Sequence, residues 1–131
     1  MSGTLAGRTV VVTGAAGGIG RALCRVLAGQ GATIAAIDRS AAVVELAETL
    51  RADGIAATAA VADICDAAAI ASAFAAFGDI DVLVNNAGLL RHPTIGKTDA
   101  AGWREDVDAN LDGAFICAKA VLPQMVERRS G

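Results

Sequence analysis

The sequence predicts an α/β fold, a doubly wound parallel sheet with helices on both faces. Three observations carry that reading. Short β-branched runs alternate with segments whose apolar residues recur at helical spacing. The best-defined strands are apolar on both faces, as strands covered by helices on each side must be. Glycine and Asp-Gly breakers fall between the segments. At 131 residues and 54% hydrophobic, the chain can bury a core without disulfides or a structural metal.

Taken in order, Thr9 to Thr13 is a first strand, followed by Ile19, Leu23, Val26 and Leu27 as the apolar positions of a helix that Gly29-Gln30-Gly31 ends. Thr33 to Asp38 is a second strand. Val43, Leu46, Ala47 and Leu50 mark one face of a second helix, which Asp53-Gly54 ends. Ala57 to Val61 is a weaker third strand, Ile70, Ala73, Phe74 and Phe77 line a third helix, and Asp81 to Asn85 is a fourth strand. Thr98 or Asp99 can cap a helix running to about Asp108. Leu111, Phe115, Ala118, Leu122 and Met125 stripe a last long helix, with a kink expected at Pro123. The alanine-rich span from Ala56 to Ala76 carries Val61, Ile64, Ile70 and Phe74 at ordered spacing, so it reads as folded. No linker or repeat interrupts residues 1–131, which read as one domain.

Composition excludes several classes. The net charge is −3 and only Arg128 and Arg129 are adjacent among the basic residues, so no nucleic-acid footprint is expected. Cys24, Cys65 and Cys117 are odd in number and have no ligand spacing; they read as reduced, mostly buried thiols of a cytoplasmic protein, with no metal site. "MSGTLAGRT" lacks the apolar core of a signal peptide, and no apolar run reaches the roughly 18 residues of a spanning helix, so no membrane partner is expected.

The stretch "VVVTGAAGGIGRAL", Val10 to Leu23, lies between the first strand and the first helix. There, free backbone N–H groups and the positive helix end can face a pyrophosphate. Gly14 can take the tight turn, while Gly18 and Gly20 remove side chains where a cofactor or the neighbouring strand presses close. A tight strand-to-helix turn without a ligand accounts for the same glycines. Asp38, about 20 residues further on, stands at the end of the second strand, where a carboxylate can accept from both ribose hydroxyls of NAD and repel the 2′-phosphate of NADP. Capping of the next helix near Ser40 is the alternative for Asp38.

With Thr13-Gly14-Ala15-Ala16-Gly17-Gly18-Ile19-Gly20, Asp63 after the third strand and Asn85-Asn86-Ala87-Gly88 after the fourth, the chain resembles the short-chain dehydrogenase/reductase family. "VLVNNAG" is its most specific motif, and "WREDVDANLDGAF" with Asn110 resembles the family's next landmark. The resemblance runs from about Leu5 to the last residue. It implies a Rossmann-like, NAD-dependent oxidoreductase that moves hydride between nicotinamide and an alcohol or carbonyl substrate. It also implies that Gly14 to Gly20, with Gly18, Ile19 and Gly20, cradle the pyrophosphate, that Asp63 meets the adenine amino group, and that Ile64 gives a backbone contact. Asn86, Ala87 and Gly88 would line the adenosine and ribose, and Asn110 would hold an active-site water in a proton relay. Asp63 opening the third helix, Asn85 tying its strand to a neighbour and Asn110 as a kink residue between helices are the structural alternatives. Arg39 is a reservation to the choice of NAD, since its guanidinium could pair with a 2′-phosphate; Gly17 offers no such cation.

The family's catalytic Ser and YxxxK are missing: the sequence has no tyrosine, and Lys97 and Lys119 stand at no matching position. The 131 residues are therefore expected to form a dinucleotide-binding domain incomplete at its C-terminus, truncated after the fourth strand and its following helices, and inactive alone. A non-catalytic dinucleotide-binding or subunit-interaction protein from a truncated gene is the competing reading. A Ser and a YxxxK encoded beyond Gly131 would decide for the enzyme. Without a fifth strand, the apolar edge Val82-Leu83-Val84 and the last helix lack cover. The chain is expected to self-associate or form a homo-oligomer in sedimentation at micromolar concentration, and a stable, cooperatively unfolding monomer would contradict this.

Overall fold

The computed structural model describes residues 3–91 and 94–131; Met1 and Ser2 of the N-terminal segment, and His92 and Pro93, lie outside the described residues. Strands β1 (Thr9–Thr13), β2 (Thr33–Asp38), β3 (Ala57–Val61) and β4 (Val82–Val84) form one parallel sheet in the order β3-β2-β1-β4. Val11 of β1 pairs with Ala35 on one side and Leu83 on the other. The chain thus steps outward from β1 to β3 and crosses back to place β4 against the free side of β1. The reversal leaves a crevice at the carboxyl ends of β1 and β4, where open α/β sheets bind ligands.

β1 shows why the sheet is covered twice. Val10 and Val12 enter the core shared with α1 (Gly18–Gly29) and α2 (Ala42–Ala52), whereas Val11 enters the core shared with α3 (Ala67–Phe77) and α5 (Gly113–Arg128). All three valines are fully buried, the outcome of a period-two strand with helices on both sides. Asp66 caps α3 by accepting from the N–H groups of Ala68 and Ala69, both at 3.0 Å. Of the two candidate caps for α4 (Ala100–Val107), Asp99 takes the place, accepting from Gly102 N at 2.7 Å. No helix among the described residues is long and apolar enough to cross a membrane.

Several sequence expectations are corrected. The fourth strand is three residues long instead of five, because pairing with β1 covers only Val82 to Val84. Between α4 and α5 the chain does not break: residues Asp108–Asp112 form one π-helical turn, with Gly113 N–H donating to Asp108 O, and Asn110 sits inside it. α5 then continues through Pro123 to Arg128. The apolar stripe read on this helix faces outward, with Leu111, Phe115 and Leu122 at 65%, 62% and 57% exposure and Ala118 exposed as well; of that stripe Met125 packs inward. Gly113, Cys117 and Val121 face the core instead. On α1 the apolar positions divide: Leu23 and Leu27 pack against the core beside buried Gly20 and Cys24, while Ile19 and Val26 are exposed. Small residues take the inner face because the helices approach closely: a Cβ on Gly113 would lie 2.3 Å from Ile64 Cδ1.

The entrance to β4 is tied down by charge. Asp81 accepts from Thr9 N at 2.9 Å and Arg8 Nη1 at 3.0 Å, and Arg128 Nη1 lies 3.9 Å away. Gln124 Oε1 accepts from Ile80 N at 2.8 Å, so the end of α5 is stitched to the same point. The Thr9 N–H bond, followed by the Arg8 and Arg128 guanidiniums, holds the Asp81 carboxyl below the ordinary carboxylate value. A lowered folded pKa stabilises the fold above the ordinary value, and that contribution is lost as pH falls through the folded pKa. Asp81→Asn is expected to lower stability by about 1 kcal/mol at neutral pH. In thermal unfolding the gap to wild type should narrow as the pH drops below the carboxylate range; a pH-independent gap would contradict the assignment.

Candidate functional site

A cleft of about 350 Å³ opens at the carboxyl ends of the strands. Its walls include Gly14, Gly18, Ile19 and Gly20 from the β1–α1 loop and the start of α1, and Asp38 from the end of β2. Asp63 and Ile64 follow β3, and Asn86, Ala87 and Gly88 follow β4. The sequence-predicted binding residues are thus brought to one cavity. Asn110 does not line it. Its neighbour Ala109 does, while Asn110 borders an adjoining apolar groove of about 730 Å³ with Leu89 and Trp103.

The loop shape follows from two close approaches. Gly14 has φ +64°, a left-handed conformation, and a Cβ there would lie 2.7 Å from Ala87 Cα. A Cβ on Gly20 would lie 2.2 Å from Gly14 O, so α1 folds back tightly on its own entry loop. Gly18 differs: a Cβ there would meet nothing within 4 Å, because the position faces open space. Within the loop, Ala15 N donates to Ile37 O, Ala16 N to Asp38 Oδ2 and Gly17 N to Gly14 O. Among the described residues, no hydrogen bond engages the N–H groups of Gly18, Ile19 or Gly20. With no acidic side chain in the first turn of α1, these donors and the positive helix end are chemically suited to an anion.

Asp38 does not cap α2, whose N-cap Ala41 has no side-chain cap bond, but it holds the turn that leads into that helix. Its Oδ1 accepts from Ser40 N at 2.9 Å, the turn before α2, while Oδ2 accepts from Ala16 N at 2.9 Å and the residue lines the cleft. Arg39 lines the cleft beside it. Asp63 does not open α3, which Asp66 caps; its Oδ1 accepts from Cys65 N at 2.9 Å. Asn85 lies outside the cleft, its amide 3.5 Å from Ala114 O on α5.

The β1 and β4 walls are joined by Thr13. Its hydroxyl oxygen accepts from Asn86 N at 3.1 Å and Ala87 N at 3.0 Å, and Asn86 Nδ2 donates back to Thr13 O at 3.0 Å and Gly14 O at 3.2 Å. Thr13, 1% exposed, has a role that the motif's spacing does not assign; a polar residue ending an apolar strand is the sequence signal that points to it. Asn110 grips the next residues of the same wall. Its Nδ2 donates to Leu89 O at 2.6 Å and to Asp106 O at 2.8 Å, and its Oδ1 accepts from Leu89 N at 3.1 Å. Gly88 permits this, since a Cβ would lie 2.7 Å from Asn110 Oδ1.

The thiols stand apart from this chemistry. Burial pushes Cys24 and Cys117 up to about 11. Cys65, expected among mostly buried thiols, is exposed because it sits on the turn after β3, where its Sγ donates to Asp108 O at 3.2 Å. Its pKa is also raised, by desolvation first and then by Asp63, Asp108 and Asp112. Among the described residues, no group of three or more His, Cys, Asp or Glu could hold a metal ion.

With this geometry in hand, known proteins supply the comparison. The family profile described as short chain dehydrogenase matches residues 8–131. The chain is 41% identical over 130 residues to a 2,3-dihydro-2,3-dihydroxybenzoate dehydrogenase of Bacillus subtilis, covering 95% of this chain and 50% of that protein. It is 38% identical over 133 residues to the oxidoreductase UcpA of Salmonella typhimurium, covering 98% and 51%. A gluconate 5-dehydrogenase from Burkholderia cenocepacia, solved with NADP and tartrate, superposes with TM-score 0.88 at 39% identity, covering 95% and 51%. A 3-oxoacyl-[acyl-carrier protein] reductase from Brucella melitensis, solved with NAD, superposes with TM-score 0.89 at 35% identity, covering 96% and 51%. The chain spans about half the length of the curated relatives it matches.

Two glycine substitutions separate packing from ligand space. Gly20→Ala drives a methyl into backbone and is expected to cost about 2–3 kcal/mol in urea unfolding. Gly18→Ala should change stability by less than about 1 kcal/mol, since its methyl would enter the open cleft. Equal losses in both variants would contradict the described loop.

Proposed function

The chain belongs to the short-chain dehydrogenase family, and from that premise we propose that its cleft holds a nicotinamide dinucleotide, as part of an oxidoreductase acting on an alcohol or carbonyl substrate. The observation that carries the reading is the set of three unengaged N–H groups at Gly18, Ile19 and Gly20, which face a cleft kept free of side chains at Gly18. This donor set fits a pyrophosphate. When bound, the cofactor supplies the hydride chemistry.

The roles proposed for the chain's own residues are binding and positioning. Gly14, Gly18, Ile19 and Gly20 seat the pyrophosphate; Asp38 accepts from the adenosine ribose; Asp63 and the Ile64 backbone meet the adenine. Support for the last comes from the Ile64 N–H, which has no hydrogen-bond partner among the described residues. Asn86, Ala87 and Gly88 form the opposite wall. Asn110 helps organise a proton relay by fixing the Leu89 peptide, its side-chain groups being already engaged. Homo-oligomerisation through the exposed Leu111, Phe115 and Leu122 stripe is proposed as well, and a cytoplasmic location is supported by three thiols that form no disulfide.

NAD is the proposed cofactor over NADP, because Asp38 ends β2 in the cleft lining, where a carboxylate suits ribose hydroxyls, and Gly17 carries no cation; Arg39 in the cleft lining is the opposing feature. Of the similar solved structures, two hold NADP and one holds NAD, so the preference for NAD rests on this chain's own residues. Calorimetric titration with both dinucleotides is expected to give tighter binding of NAD, and tighter NADP would assign the dominant role to Arg39.

The 131 residues contain no tyrosine, the family's proton donor, and span about half the length of the curated relatives they match. Loss of a positioned acid or base costs about 10²–10⁴ in rate on its own. The purified chain of 131 residues is expected to bind dinucleotide without turning over secondary alcohols or ketones. A steady-state rate that falls on Asn110→Ala would contradict that expectation.

A further inference from the structure

Asp38 reaches in two directions, and its contact with the glycine loop has a consequence separate from any ribose contact. Polar groups of that loop are satisfied within the protein: Ala15 N by Ile37 O, Ala16 N by Asp38 Oδ2, Gly17 N by Gly14 O, Gly17 O by Arg21 N, and Ala16 O by Arg21 Nε at 2.8 Å. Ala16 N is the loop donor satisfied by a side chain, and that side chain lies 22 residues away on the neighbouring strand. We propose that Asp38 is a positioning residue for the pyrophosphate seat: its carboxylate fixes the Ala16 peptide so that the following N–H groups of Gly18, Ile19 and Gly20 already point into the cleft. The inference rests on the dinucleotide reading above and goes beyond a ribose contact.

The chemistry is specific to a carboxylate. Oδ2 takes the N–H of Ala16 while Oδ1 takes that of Ser40, both at 2.9 Å. An asparagine of the same shape has one acceptor oxygen and one NH₂, so one of the two backbone donors must face another donor. Asp38→Asn therefore loosens either the glycine loop or the turn before α2, and the loop is the end exposed to the ligand. Electrostatics alone predict the opposite sign. A carboxylate beside an anionic ligand repels it, so removing the charge would strengthen pyrophosphate binding if charge were its only influence.

The test compares two ligands on wild type and Asp38→Asn by titration of the 131-residue chain. One is ADP; the other is 2′,3′-dideoxy-ADP, which keeps the pyrophosphate and has no ribose hydroxyls for Asp38 to hold. If Asp38 positions the loop, Asp38→Asn should weaken the dideoxy ligand by about fivefold or more, the scale of one backbone donor left unsatisfied. An unchanged or tighter affinity for the dideoxy ligand would overturn the proposal, leaving Asp38 as a ribose contact alone. Failure of the wild type to bind ADP would instead overturn the dinucleotide reading, so the two outcomes are distinct. A measurement that needs no variant guards against misfolding: amide exchange at Ala16 in the ligand-free wild type should be slowed relative to Gly18 and Ile19. Equal exchange at the three positions would also overturn the proposal.

Discussion

The cleft depends on one buried hydroxyl. Thr13 ends β1, and its Oγ accepts the N–H groups of both Asn86 and Ala87, which lead the chain out of β4. Asn86 returns two bonds to the carbonyls of Thr13 and Gly14. These are contacts between segments more than 70 residues apart, made where the sheet offers no further ladder bonds. Gly14 completes the junction, because any side chain there would collide with Ala87. The glycine loop on one wall and the Asn-Ala-Gly turn on the other are therefore held at a fixed separation before any ligand arrives. Preorganisation of this kind spares a ligand the cost of ordering two loops.

Asn110 extends the same logic to the next segment. A π-turn widens the helix between α4 and α5 and presents the Asn110 amide to the Leu89 peptide, whose N–H and C=O it engages together. π-turns inside helices recur at functional sites because the widened turn displaces a side chain from the regular spacing. Here the displaced side chain braces the partition between the polar cleft and the apolar groove. The sequence left two possibilities for this residue, a site asparagine or a kink residue. The structure shows a helix that runs on through this residue with a local π widening.

The fold was legible because its strongest signals are local. β-branched runs of five or six residues, breakers at Gly29-Gln30-Gly31 and Asp53-Gly54, and the apolar face of α2 give the alternation directly. What periodicity misjudged was which face of α5 turns inward, and that Ile19 and Val26 of α1 stay outside. Size was the misleading cue: Leu111, Phe115 and Leu122 make the larger apolar stripe, yet Gly113 and Cys117 face the sheet because Ile64 leaves no room for more. Close approach between elements is a tertiary property, invisible to a helical wheel. For the same reason β4 was read too long, since strand length is set by the reach of its partner β1. In the site, the glycines and Asp38 could be named because turn geometry and strand ends constrain residue type locally. The roles of Thr13 and Ala16 depend on partners 73 and 22 residues away, and no spacing pattern announces them.

The central claim is that the start of α1 is a pyrophosphate seat whose donors are free and already oriented. Its most direct test is a backbone amide chemical-shift titration of the 131-residue chain with NAD. The account predicts saturable shifts centred on Gly18, Ile19 and Gly20, spreading to Ala87 and Gly88 across the cleft. Shifts absent from these amides, or confined to the apolar groove around Trp103, would contradict it.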